Sequence, residues 1–130
     1  MKKIWVYDLE CFSNLFSATF IDKDSDDTRV FVIYRDMDQR KELFNFLHNE
    51  VEGLIGFNCN SYDYQLLEYL MQHPFCTTFM LRTYSNRITS VNQGMMDTPE
   101  HEFKIPHLDL FHALSLSVKA KRTGFCFSSV

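Results

Sequence analysis

The chain has 130 residues, 45% of them hydrophobic and 15% aromatic, with 13 phenylalanines; these values suit one packed domain and exclude a disordered segment. The net charge of −4 shows no basic footprint for nucleic acid, although a carboxylate cluster inflates the acid count and bound divalent cations reverse its local sign. No apolar run spans a bilayer and no basic-then-apolar leader opens the chain, so no membrane partner is expected.

Cys11, Cys59, Cys76 and Cys126 form no CxxC pair and read as reduced thiols, which points to the cytoplasm. Lys119, Lys121 and Arg122 read as a solvated surface run more readily than as phosphate contacts.

In chain order, residues 2–10 (KKIWVYDLE) read as a first strand and 15–22 (LFSATFID) as a second. A polar turn over 22–28 leads to a third strand over 29–35, so an antiparallel meander is expected. Residues 38–51 carry Leu43, Phe44, Phe46, Leu47 and Val51 at helical spacing, with Asp38 placed to cap the start. Gly53 is expected to end that helix before a short buried strand, LIGFN.

A second helix covers 61–73, with Leu66, Leu67, Leu70 and Met71 on its apolar side and Pro74 as its stop. Leu81, Tyr84, Ile88 and Val91 predict a third helix over 77–92. A loop over 93–106 precedes a last strand, HLDL, and the start of another helix, FHALSLSV. Strand–helix alternation after a meander predicts an α/β domain: a mixed sheet with helices on both faces and the first strand at its centre.

Asp8 and Glu10 stand one position apart in the first strand, so their side chains share a face with Ile4 and Val6. That face reads as core. Two ionised carboxylates there need a partner, no Arg or Lys is placed by sequence to serve, and a divalent cation is the economical answer. Asp63 follows at a strand-to-helix junction in GFNCNSYD, and Asp109 ends the HLDL strand. Taken singly, Asp63 is an ordinary first-turn acid, Asp109 an ordinary N-cap, and Asn58 and Asn60 ordinary turn residues.

Together, YDLE at the end of a first strand, GFN…YD at the next junction and LDLF later resemble the motifs of the DEDD 3′–5′ exonucleases. Their fold is ribonuclease H-like, and the nearest flavour is the proofreading domain of phage and family-B polymerases. The resemblance runs from Lys2 to about Arg122. It implies phosphodiester hydrolysis on single-stranded DNA or RNA with two Mg²⁺ or Mn²⁺ ions, which prefer oxygen ligands. Asp8 would bridge both ions, Glu10 would ligate one or position the chain end, and Asp63 would hold the second. Asn58 and Tyr62 match positions that line the substrate groove.

The chain departs from this pattern at its end. The family carries a fourth carboxylate on a late helix, in a Tyr-x-x-x-Asp or His-x-x-x-x-Asp motif, whereas no Asp or Glu follows Asp109. Tyr34 and Asp38 have that spacing in the wrong chain order. The ending RTGFCFSSV therefore reads as a single exonuclease-like domain cut short, with activity weakened unless Asp109, self-association or a partner polypeptide supplies the ligand.

The alternative is a non-catalytic ribonuclease H-like module, a regulator or inhibitor that binds nucleic acid or protein and keeps relic site residues. A zinc site at His107, Asp109 and His112 lacks close further ligands. No Gly-x-Ser-x-Gly, Cys–His or Gly-rich phosphate motif appears. Phe57, Tyr62, Tyr64 and Phe79 are candidates to stack bases.

Overall fold

A buried residue recurs at every second position of β1 (Lys3–Phe12), and this alternation organises the rest of the fold. In a computed structural model that describes residues 2–57, 62–92 and 105–110, Trp5, Tyr7, Leu9 and Cys11 are the buried set. β2 (Leu15–Asp22) and β3 (Thr28–Tyr34) complete the antiparallel meander, and the short β4 (Met37–Asp38) forms its edge. α1 (Arg40–Asn49), β5 (Val51–Gly56), α2 (Asp63–Gln72), α3 (Thr78–Asn92) and β6 (His107–Asp109) follow. The six-stranded sheet has the order β4-β3-β2-β1-β5-β6, with β5 parallel to β1 and β6 parallel to β5. The expected α/β class, mixed sheet, meander and central first strand are all present.

Register carries the buried face from strand to strand. Tyr7 pairs with Phe20, Leu9 with Ala18 and Cys11 with Phe16, while Trp5 pairs with Leu54 across the parallel ladder. α1 closes this face with Leu43, Phe46 and Leu47. Phe46 meets Trp5 edge-on at 5.0 Å between centroids and also contacts Phe20 and Phe31. α2 buries Tyr64, Leu66, Leu67 and Leu70. α3 buries Leu81, Ser85 and Ile88 at the steps that one helical face requires.

The face that carries Asp8 and Glu10 differs from the core face expected for it. Asp8 and Glu10 are exposed, as are Val6, Phe12, Ile21, Val30 and Leu108. Among the described residues the helices cover the Trp5 face only. Both faces of β1 begin apolar, but only the Trp5 face stays apolar to its end, and α1 packs there.

Three local expectations shift as well. Gly53 does not end a helix but sits within β5 beside Ile4, because strand pairing with β1 begins immediately after α1. Val51 likewise belongs to β5. Gln39 occupies the α1 N-cap without a side-chain capping bond, its Oε1 accepting the Val32 N–H at 2.9 Å instead; Asp38 pairs with Arg40 at 2.9 Å and accepts its backbone N–H at 3.2 Å. The loop over 93–104 and the helix expected from 111 lie outside the described residues. No helix among the described residues is long and apolar enough to cross a membrane.

Candidate carboxylate site

β5 pairs with β1 only from Lys3 to Val6. Beyond Val6, β1 continues to Phe12 with β2 on one side and no described strand on the other. The chain leaves β1 towards β2, β3 and β4, then returns to β5 and β6 on the opposite side. Such a reversal opens a crevice at the carboxyl ends of parallel strands, the general place for ligand sites in open α/β sheets.

The predicted acids lie on the elements that border this reversal. Asp8 and Glu10 lie on the projecting half of β1, Asp63 is the first residue of α2, and Asp109 ends β6 opposite Gly56. Through the pairs Trp5–Leu54 and Leu54–His107, His107 and Asp109 share the helix-covered face. The carboxylates thus reach the crevice from both faces of the sheet, Asp63 and Asp109 buried and Asp8 and Glu10 exposed.

Electrostatics couple them. The Asp63 carboxyl is pushed up to about 7, first by burial and then by the charges of Asp8, Glu10 and Asp109. Burial penalises the charged form, and like charges add to the penalty. Asp22, Asp24, Asp27, Asp38 and Glu50 take part in ion pairs away from these acids.

Comparison with known families, curated proteins and solved structures gives no match. The reading of this site rests on its own chemistry.

Among the described residues no three His, Cys, Asp or Glu side chains converge as a ready metal-holding group. The donor set still fits a hard divalent cation in kind, being all carboxylate oxygen. The raised Asp63 is the response expected of such donors when their charges face one another.

Tyr62 is half-buried and shares a short hydrogen bond between its hydroxyl and Ser85 Oγ, so α3 orients it. Burial raises its phenol, with smaller contributions that include the charge of Asp63. Asn58 and Asn60 lie outside the described residues. Of the aromatics considered for stacking, Tyr64 is wholly buried and stacks on the half-buried His107 at 4.6 Å between centroids, which takes Tyr64 away from the surface. Phe57 and Phe79 are exposed at 59% and 67%. His112 is outside the described residues.

Sequence reasoning did not single out Arg82. Its Nη1 donates to the Cys11 carbonyl oxygen at 2.9 Å, one residue beyond Glu10. Only the apolar stripe of α3 was legible, and a polar residue beside that stripe gives no local signal of which strand it reaches.

Proposed function

We propose that the chain is a divalent-cation-dependent 3′–5′ exonuclease-type domain that hydrolyses phosphodiester bonds of single-stranded DNA or RNA. The observation that carries this reading is a buried Asp63 whose carboxyl is pushed up to about 7, first by burial and then by the charges of Asp8, Glu10 and Asp109. Asp8, Glu10 and Asp63 would hold Mg²⁺ or Mn²⁺, and Asp109 is a further acid whose charge reaches Asp63. When bound, such ions neutralise a scissile phosphate and lower the pKa of an attacking water.

The chain's own residues supply the rest. Asp63 near 7 exchanges its proton around neutral pH, so it is ready to yield it to a cation. Burial of Asp63 and Asp109 supplies a low-dielectric wall on one side of the crevice, which strengthens attraction to a cation. The exposed Asp8 and Glu10 leave the other side open to a chain end. Tyr62, steadied by Ser85, stands next to Asp63 on the groove side.

A second reading has its own support. The acids do not converge as a ready metal-holding group among the described residues, which favours a binding module with relic carboxylates. The deciding experiment is a gel assay on 5′-labelled single-stranded DNA and RNA with Mn²⁺, beside Asp8→Ala. A ladder shortening from the 3′ end and lost in the variant supports the exonuclease. Intact substrate in both lanes sinks it and leaves the binding module.

A further inference from the structure

Resting on that reading, we infer that the end of β1 and the first turns of α3 form an approach subsite for a single-stranded nucleic acid. Arg82 takes a backbone phosphate, and Phe12 and Phe79 offer their faces to unpaired bases.

Arg82 is fixed in place, since Nη1 donates to the Cys11 carbonyl oxygen at 2.9 Å. It takes part in none of the ion pairs among the described residues. Its charge reaches both the Cys11 thiol and the Tyr62 phenol, and these residues adjoin Glu10 and Asp63. A guanidinium offers five N–H donors in a planar fork suited to phosphate, and one bond to a carbonyl leaves its charge in full.

Two exposed phenylalanines lie to either side of this cation: Phe12 on the open face of β1 that carries Glu10, and Phe79 on the helix that covers the other face. Phe12 follows Cys11 directly and is 51% exposed. Phe79 lies three residues before Arg82 on α3, so the two share a helix side. Thr78 Oγ1 donates to the Ser13 carbonyl oxygen at 3.1 Å, which ties this turn of α3 to the chain just past Phe12.

A steadied cation with aromatic faces beside it is the equipment that single strands use: a phosphate contact plus sequence-tolerant stacking. The chain's net charge of −4 is no obstacle, because exposed charges more than about 8 Å apart are largely screened at physiological salt. A duplex would not use the platforms, since its bases are already stacked.

The test is fluorescence anisotropy of a short 5′-labelled oligothymidylate in EDTA, where metal-dependent cleavage cannot run. The variants are Arg82→Gln, Arg82→Lys and the double Phe12→Ala/Phe79→Ala, each compared for melting with the parent chain. Arg82→Gln should weaken binding about tenfold and flatten the slope of log K against log salt by about 0.7, the value for one lost phosphate contact on a single strand. Arg82→Lys should keep that slope. The double variant should lose about tenfold or more with the slope unchanged, as lost stacking requires.

Unchanged affinity and slope in Arg82→Gln, or a loss of affinity without a change of slope, overturns the subsite. If Arg82→Gln fails to fold, the double variant decides: weaker binding supports the platforms and unchanged binding removes them. A parent chain that binds no oligonucleotide also overturns the inference. A chain that binds through Arg82 yet never cleaves with Mn²⁺ keeps the subsite and loses the exonuclease.

Discussion

The charge of Asp8 is, after burial, the largest influence that holds the Asp63 carboxyl near 7, although Asp8 lies on an exposed strand face and Asp63 is buried at a helix start. A raised carboxyl binds a proton in the folded state that the unfolded chain has already released at the ordinary 3.8. The stability tied to this group is whole below that value. It is lost as pH rises towards and through 7. Asp63→Asn should therefore stabilise the cation-free protein by more at pH 8 than at pH 5, on the order of 1–4 kcal/mol at the higher pH. Urea unfolding of both proteins at the two pH values checks this, and an equal gain at both would sink the coupling.

A cation should reverse that penalty. Mn²⁺ at a hundred-fold excess over its Kd would stabilise the fold by about 2.7 kcal/mol. The gain should shrink at pH 5, where Asp63 holds its proton against the metal. Thermal unfolding with and without Mn²⁺ should show the shift in the parent chain and little of it in Asp8→Ala. No shift at either pH argues against a metal role.

The core makes a prediction that is independent of function. Phe46 sits among Trp5, Phe20 and Phe31, and the Arg29 guanidinium lies 5.8 Å from its ring centroid. Phe46→Ala should cost about 3–5 kcal/mol in urea unfolding, the range for deleting a buried aromatic. Phe75 is 96% exposed, so Phe75→Ala should stay within about 0.5 kcal/mol. Comparable losses would contradict the packing.

Gly53 links strand packing to the site. A Cβ at this position would lie 3.2 Å from the Pro106 carbonyl oxygen, and that oxygen accepts the Leu54 N–H at 2.9 Å. Gly53→Ala must therefore push on the chain that enters β6, where Asp109 stands. A loss of about 1 kcal/mol is expected; a variant with unchanged or higher melting temperature would mean that Pro106 gives way freely.

Much was legible locally. The bounds of β2 were read correctly, α2 and α3 within two residues at either end, and the apolar spacing of α1 picked out Leu43, Phe46 and Leu47. These follow from side-chain period alone, which is a property of neighbours in the chain. The pairing of Asp8 with Glu10 on one face is of the same kind, as is the position of Asp63 at a helix start.

What the sequence by itself determined, then, is every described element except the short β4, the meander of the first three strands and the acids that the strand and helix ends carry. The buried face of β1 was also written locally, in the apolar run of Trp5, Tyr7, Leu9 and Cys11 that the Asp8 and Glu10 face lacks, but only the tertiary structure decided that Phe46, far along the chain, covers it. The same holds for the burial of Asp109, the crevice left where β5 stops short of Asp8, and the reach of Arg82 to Cys11. Each depends on parts of the chain meeting across the sheet, and a local period holds no information about that meeting.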